Sequence, residues 1–194
     1  MKNIGLYIHV PFCVRKCRYC DFYSVTDLSL TDLYTSAVIR NTKAYGYGFD
    51  TVYFGGGTPS LLTPKQIDAI LSAAEIAPDA EISMECNPNS VTKDYLREVR
   101  NAGVNRLSFG VQSFDDGILK FMNRRHNAAV AREAYAILEN AGIGNISIDL
   151  IFGLPQLSDG QWKETLDSAL HISSKGGPPQ HISSYQLSVE PGSA

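Results

Sequence analysis

The chain has 194 residues, of which 44% are hydrophobic and 19% charged, the composition of a globular protein with one substantial core. Its formal net charge of -3 gives it no general basic surface, which argues against nucleic acid as a partner. No apolar run is long enough to span a bilayer, and cysteine is scarce outside one cluster, so we expect a cytoplasmic protein.

Six segments have the pattern of β-strands, and helical patterns separate most of them. The predicted strands are residues 5–10, 50–55, 81–87, 106–112, 146–152 and 181–189. The predicted helices are residues 29–45, 64–74, 92–102, 128–141 and 160–172. Strands that alternate with helices about every 30 residues are typical of a parallel sheet with right-handed crossovers.

The predicted strands alternate apolar and polar residues, which is unusual for a parallel sheet covered on both faces. In the fifth strand, Ile146, Ile148 and Leu150 alternate with Ser147 and Asp149. Successive side chains point to opposite faces, so the apolar set packs against helices and the polar set lines an interior that holds a ligand. Six units are fewer than the eight of a closed barrel, and we therefore predict an open, partial (βα)6 barrel.

Three cysteines, Cys13, Cys17 and Cys20, follow the first strand within eight residues. Thiolates this close in one loop are expected to bind one metal centre. Three ligands leave one iron of a four-iron, four-sulfur (4Fe-4S) cluster free for a substrate or cofactor, whereas a ferredoxin closes all four positions with cysteine. A structural zinc site would need a second pair of ligands, and a disulfide framework would need an oxidising compartment. Cys86 lies on an apolar strand face, which predicts a buried residue rather than a fourth ligand.

Two further features lie near the predicted ligands. The run Gly55-Gly56-Gly57-Thr58-Pro59 follows the second strand, and its glycines would let backbone groups approach a ligand closely. Arg15, Lys16 and Arg18 place positive charge among the cysteines, where it can balance an anionic cluster, meet an acidic electron donor or remain solvated.

Taken in order, these segments resemble the radical SAM enzymes. The resemblance rests on Tyr7-Ile-His-Val-Pro-Phe-Cys13 with Cys17, Tyr19 and Cys20, on residues 55–59, on Glu85-Cys-Asn-Pro88, on residues 106–114 and on residues 149–155. Within that superfamily, the chain is similar to the group that contains anaerobic coproporphyrinogen III oxidase and a heme chaperone.

The resemblance implies an α/β fold, a TIM-like partial (βα)6 barrel with parallel strands, and a 4Fe-4S cluster whose free iron is chelated by S-adenosylmethionine. One-electron reduction would cleave the sulfonium to methionine and a 5′-deoxyadenosyl radical. By family position, the residues that contact this cofactor are Tyr7, Gly56 and Glu85. The residues that match the second S-adenosylmethionine site of the oxidase are Gly57, Thr58, Gln112, Arg124 and Asp149. No catalytic residue is assigned.

Two features favour the heme chaperone branch of the group. Phe22 stands where the oxidase carries a further cysteine, and the chain enters its first strand almost at once. The resemblance then implies heme as a further ligand, heme or another tetrapyrrole as cargo, membrane respiratory proteins as recipients, and a reduced electron donor such as flavodoxin.

Two alternatives remain at this point. One is an oxygen-independent coproporphyrinogen III oxidase, an oxidoreductase of porphyrin biosynthesis that forms protoporphyrinogen IX by oxidative decarboxylation. The other is an inactive core whose cluster only stabilises the fold. We expect residues 1–194 to form one radical SAM core domain, without the C-terminal domain that both relatives carry.

Overall fold

The computed structural model describes residues 4–188 and confirms the predicted fold class. Its six strands form one sheet in the order β1-β2-β3-β4-β5-β6, and every neighbouring pair is parallel. The strands are β1 (Gly5–Val10), β2 (Gly48–Gly56), β3 (Glu75–Cys86), β4 (Arg106–Gln112), β5 (Asn145–Phe152) and β6 (His181–Gln186). Because the strands are parallel and consecutive, their carboxyl ends all reach the same edge of the sheet.

Six α-helices accompany the sheet in the described residues. They are α1 (Thr31–Ala44), α2 (Pro64–Leu71), α3 (Lys93–Asn101), α4 (Asp116–Phe121), α5 (Ala128–Asn140) and α6 (Asp159–Leu170). Polar N-caps explain where several begin: Thr63 and Gln66 form a capping box at α2, and Ser158 and Gln161 form another at α6. None of the helices in this part of the chain is both long and apolar enough to cross a membrane.

The clearest differences from the sequence prediction concern β3, α4 and β6. β3 begins at Glu75 rather than at residue 81, because its first residues pair with the start of β2 ahead of an irregular stretch that contains Pro78. Helix α4 was not predicted, since six residues are too few to show a helical period. β6 ends at Gln186, two residues short of the described end of the chain: Leu187 and Ser188 were predicted as strand but are not, and Val189 lies outside the described residues.

The main hydrophobic core lies between the sheet and the helices. Each of the first five strands contributes a fully buried residue to it: Val10, Phe54, Met84, Phe109 and Ile148. Cys86 belongs to this core and is 3% exposed, as its position on the apolar strand face predicts. The core therefore occupies the apolar strand faces and leaves the polar faces free to line a cavity.

A smaller core joins α4 to the end of β5. It contains Ile118, Leu119, Met122, Ile151 and Leu154, with Tyr19 packed against it. Tyr19 stands between two of the clustered cysteines, so this second core anchors the cysteine loop to the rest of the fold.

Candidate functional site

The carboxyl ends of the strands and the cysteine loop enclose a cavity of about 760 Å³. All the site residues predicted from the sequence line it except Tyr7. Tyr7 stands next to the cavity, with its ring stacked on that of Tyr53, which is a lining residue, at 6.1 Å between centroids. Residues as far apart as Cys13 and Asp149 therefore meet in one concave site, the usual form of a small-molecule site.

The cysteine loop is closed by backbone pairing at its base. The Cys13 amide donates to the Val25 carbonyl at 2.9 Å, and Phe12 and Val25 form an isolated parallel bridge. All three thiols are free and partly exposed. Burial raises the pKa of Cys20, and the neighbouring thiols Cys17 and Cys13 raise it further.

Two of the thiols contact different residues of the cavity wall. Cys13 Sγ lies 3.7 Å from Thr58 Oγ1, and Cys17 Sγ lies 3.8 Å from Arg124 Nη1. Among residues 4–188, no group of three or more His, Cys, Asp or Glu is arranged to hold a single metal ion. That finding concerns one ion; the ligands of a multi-iron cluster attach to different iron atoms and so need not converge on one point.

The glycine run after β2 forms a part of the cavity wall that has no room for side chains. Gly56 has φ +110°, and a Cβ there would lie 2.7 Å from the His9 ring. A Cβ on Gly57 would lie 2.6 Å from the Phe12 carbonyl oxygen. His9 itself is fixed between the Tyr7 hydroxyl at 3.1 Å and the Tyr23 carbonyl at 3.0 Å. Only glycine fits this stretch, which brings backbone to the surface of the cavity beside the cysteine loop.

Glu85 projects from β3 into the cavity. Its carboxylate accepts hydrogen bonds from the Tyr53 hydroxyl at 2.9 Å and from the Gly56 amide at 3.2 Å. Burial raises the pKa of Glu85 to about 7; the hydrogen bonds oppose the rise, and the charge of Asp149 adds to it. A carboxyl group with this pKa can accept a hydrogen bond or hold a proton near neutral pH.

Asp149 lies on β5 and is 8% exposed. The Ser108 hydroxyl of β4 lies 2.7 and 2.9 Å from its two carboxylate oxygens and donates to them. Burial raises the pKa of Asp149, while the hydrogen bond from Ser108 lowers it. The cavity therefore holds two carboxyl groups from different strands, of which Asp149 is buried and Glu85 is half-buried.

Gln112 occupies an irregular position at the end of β4. The pairing register with β5 shifts between Gly110 and Gln112, which marks a β-bulge at Val111, and Gln112 has φ +71°. Its side chain is buried, and its Oε1 atom has no hydrogen-bond partner in the described structure. A buried acceptor left without a partner costs roughly 1–3 kcal/mol.

Arg124 ties the cysteine loop to the strand ends. Its Nη2 donates to Asn87 Oδ1 and to the Gly110 carbonyl, both at 2.6 Å, and its Nη1 donates to the Tyr19 hydroxyl at 3.3 Å. Burial lowers the pKa of Arg124, but the charges of Tyr19 and Cys17 raise it by more, so the guanidinium stays charged. Its Nε atom is buried and, like Gln112 Oε1, has no partner in the described structure.

Sequence reasoning missed two residues of the site. Tyr53 donates a hydrogen bond to Glu85, but in the sequence it is indistinguishable from the apolar residues around it in β2. Asn87 bridges Thr58 and Arg124, donating to Thr58 Oγ1 at 3.2 Å. Asn87 belongs to the segment Glu85-Cys-Asn-Pro88, but the sequence of that segment does not indicate that Asn87 contacts Thr58 and Arg124.

The histidines differ in their relation to the cavity. His126 is buried and hydrogen-bonds the Val111 carbonyl in the bulge at 3.0 Å. Burial lowers its pKa to about 4, so the ring is neutral at pH 7 and donates from Nε2. His171 lies beside Asp167 at the end of α6, and His181 hydrogen-bonds Ser147. Neither His171 nor His181 lines the cavity.

Comparison with known proteins places the site in a family context. The model of the Radical SAM superfamily matches residues 7–169. The chain is 40% identical to the heme chaperone HemW of Synechocystis, covering 95% of this chain and 47% of that protein. It is 37% identical to HemW of Escherichia coli, covering 98% of this chain and 52% of that protein. The chain thus spans about half the length of the curated relatives it matches.

Solved structures agree with the sequence comparison. Coproporphyrinogen III oxidase (HemN) from Escherichia coli, a radical SAM enzyme, superimposes with a TM-score of 0.85 and 27% identity, covering 96% of this chain and 44% of that chain. SuiB of Streptococcus suis bound to S-adenosylmethionine superimposes with a TM-score of 0.68 at 15% identity, covering 98% of this chain and 42% of that chain, which shows a shared fold.

Proposed function

The chain belongs to the radical SAM superfamily, and from this we propose that Cys13, Cys17 and Cys20 bind a 4Fe-4S cluster beside a site for S-adenosylmethionine. The chemistry of the donor set fits these groups. Three free thiols stand at one side of the cavity, and carboxyl, amide and guanidinium groups line the rest. When bound, the reduced cluster and S-adenosylmethionine would together supply one-electron cleavage of the sulfonium bond.

The residues of this chain would bind and orient the cofactor. Glu85 offers a carboxylate acceptor, and the glycine run beside it leaves backbone groups accessible. Tyr7 supports this side of the site by stacking on Tyr53. The polar and ionic groups of S-adenosylmethionine are the kind of partners that such a site requires.

A second set of predicted residues extends the proposal to the far side of the cavity. Gly57 and Thr58 lie next to Cys13, whereas Gln112, Arg124 and Asp149 come from the β4 and β5 side. Two buried atoms there, Gln112 Oε1 and Arg124 Nε, have no partner in the described structure. We propose that these groups receive a second polar ligand, such as another S-adenosylmethionine.

We further propose that the protein is a heme chaperone that passes heme to respiratory proteins of a membrane. The observation that carries this proposal is the 37–40% identity to two HemW heme chaperones over nearly the whole chain, against 27% to the oxidase structure. Phe22, which is 66% exposed, agrees with it, because this position lacks the additional cysteine expected of the oxidase.

Coproporphyrinogen III oxidation is the second candidate. The TM-score of 0.85 with the oxidase favours it, because the same barrel and cavity could support decarboxylation of a porphyrinogen. In that case the tetrapyrrole would be a substrate rather than cargo.

An anaerobic assay separates the two candidates. The reconstituted chain is incubated with S-adenosylmethionine, dithionite and coproporphyrinogen III, and the products are analysed by mass spectrometry. We expect 5′-deoxyadenosine with unchanged coproporphyrinogen, together with a shifted Soret band when hemin is titrated in. Vinyl-bearing products would overturn the chaperone proposal and establish the oxidase.

Two cysteine variants provide the controls for this assay. Cys17→Ser should lose the visible absorption of the cluster and all 5′-deoxyadenosine, because a cluster ligand is removed. Cys86→Ala should keep both, because Cys86 is buried in the apolar core. Retention of cluster absorption by Cys17→Ser, or its loss in Cys86→Ala, would contradict the ligand assignment.

A further inference from the structure

A second, smaller cavity adjoins the cysteine loop. Its volume is about 390 Å³, and it shares Arg124 with the main cavity. Arg124 Nη1 lies 3.8 Å from Cys17 Sγ, so a residue that lines the second cavity also contacts a proposed cluster ligand. Its lining includes the cationic residues Arg15, Lys120 and Arg125.

Together with Lys16, these residues form what we call the basic patch: Arg15, Lys16, Lys120 and Arg125. All four side chains are exposed. Within residues 4–188, no carboxylate lies at ion-pair distance from any of them. Asp116 also lines the cavity, but its one negative charge is outnumbered by the three exposed cations of the lining. The patch is therefore positive in a chain whose net charge is -3.

The basic patch is held in place on two separate segments. The Arg15 guanidinium donates to the Asn123 carbonyl at 3.0 Å, and the Asn123 amide donates back to the Lys16 carbonyl at 3.4 Å. Asn123 adopts φ +62°, a left-handed conformation that asparagine tolerates. These bonds join the cysteine loop to the connection between α4 and α5, so the cations form a preorganised surface.

We infer that the basic patch is the docking surface for an acidic one-electron carrier protein. This inference rests on the proposed function, because the cluster must be reduced by one electron from outside: the carrier loses one electron, the cluster gains it, and no atom is transferred. Because the cations are exposed and lie on two segments of the chain, they can contact the surface of another protein more readily than they can enclose a small anion. Because the chain as a whole is negative, an acidic carrier would be attracted chiefly here and repelled elsewhere.

The test compares reduction of the reconstituted chain by two donors. Fully reduced flavodoxin is the acidic probe, photoreduced 5-deazariboflavin is an uncharged small donor, and stopped-flow absorbance follows the cluster. Lys120→Glu combined with Arg125→Glu should slow reduction by flavodoxin roughly tenfold or more at low ionic strength. The difference should close near 1 M salt, where charges are screened beyond about 3 Å. Reduction by deazariboflavin should be unchanged.

A matched control carries the same change of charge elsewhere. Arg40 and Lys43 are exposed residues in the last two turns of α1, and Lys43, like Lys120, is in the last turn of its helix. Helix α1 leads into the start of β2, so these residues lie toward the end of the sheet opposite the cysteine loop. Arg40→Glu with Lys43→Glu should leave the rate with flavodoxin near that of the unchanged chain.

The outcomes distinguish this inference from the proposed function. Equal rates of reduction by flavodoxin in the two double variants would overturn the docking surface. Failure of deazariboflavin to reduce the unchanged chain would instead contradict the proposed cluster chemistry. In that case, calorimetric titration with oxidised flavodoxin still tests the surface, and it should show salt-sensitive binding that the Lys120 and Arg125 substitutions weaken. Binding that ignores both salt and substitution would overturn the inference.

Discussion

Glu85 shows how one side chain joins stability to the proposed site. Its carboxylate is held by Tyr53 and Gly56, yet burial still raises its pKa to about 7. The folded apoprotein therefore binds this proton more tightly than the unfolded chain does. The resulting stabilisation is complete below pH 4.5 and is lost as the pH rises through 7.

Replacing Glu85 should remove this pH dependence. The rise in the pKa of Glu85 from 4.5 to about 7 corresponds to roughly 3 kcal/mol. Between about pH 5 and pH 8, the unfolding free energy of the unchanged apoprotein should therefore fall by up to that amount more than the unfolding free energy of Glu85→Gln does. Urea denaturation at both pH values measures it. The pKa of His126 is lowered to about 4, so its contribution to the stability of the fold decreases as the pH falls below 6.5. Both proteins contain His126, so this contribution cancels when their unfolding free energies are compared.

An exposed carboxylate supplies the control for this comparison. Glu98 lies on the exposed surface of α3, and Glu98→Gln should change the two unfolding free energies almost equally. A Glu85→Gln protein whose stability parallels the unchanged chain at both pH values would show that the carboxylate is not buried in solution.

Strand alternation predicted which residues face the cavity, but it could not predict their partners. Glu85 and Asp149 line the cavity as expected. Their hydrogen bonds to Tyr53 and Ser108 cross between strands, and depend on pairing registers that a sequence pattern does not contain. The function of these residues remains a proposal, although their common location is observed.

At the scale of elements, the end of β2 and the end of β4 reach the cavity by different means. β2 ends in glycines, whose lack of side chains lets the backbone itself form the wall of the cavity. β4 ends in a bulge, where Gly110 pairs with Asp149 and Gln112 with Leu150. Alternation was expected to continue unbroken through Gln112, and no residue type in this stretch indicated an extra residue. Gln112 nevertheless lines the cavity, with its backbone in the left-handed region.

Gly56→Ala tests how tightly the end of β2 is packed. The substitution should destabilise the fold by roughly 1–3 kcal/mol, because φ is +110° and the new Cβ would lie 2.7 Å from the His9 ring. Gly144→Ala is the matched control, since a Cβ there meets no atom within 4 Å, and it should stay within about 0.5 kcal/mol of the unchanged chain. Thermal denaturation of the apoproteins measures both.

A double substitution isolates the contact from the backbone strain. His9→Ala removes the ring that the new Cβ would strike, so Gly56→Ala should cost less in the His9→Ala background than alone. If Gly56→Ala lowers stability equally in the two backgrounds, backbone strain at Gly56 alone accounts for the loss of stability.

For the whole molecule, the core and the proposed site occupy opposite faces of one sheet. The main core is built from apolar strand faces and helices, and it contains none of the three clustered cysteines. The sequence predicted this arrangement well, because hydrophobic alternation and helix caps are local signals. It predicted the start of β3 poorly, because the pairing with β2 there is irregular.

Removal of iron should therefore leave the barrel folded. We expect chelation of the reconstituted protein to preserve the far-ultraviolet circular dichroism at room temperature and to lower the melting temperature, as loss of any bound ligand does. The Cys17→Ser protein should show neither the cluster absorption nor this shift. Collapse of the dichroism signal on chelation would instead support a cluster that serves only to stabilise the fold.

The contact between Arg124 and Cys17 spans 107 residues, and this separation has a consequence for the newly made chain. Each strand pairs with the one synthesised just before it, so the sheet can grow unit by unit behind the ribosome. At translation rates of 5–20 residues per second, the thiols precede their guanidinium partner by roughly 5–20 s. During that interval the cysteine loop lacks the side chain that joins it to the strand ends, so in the newly made chain the thiols meet oxidants before the site around them is complete.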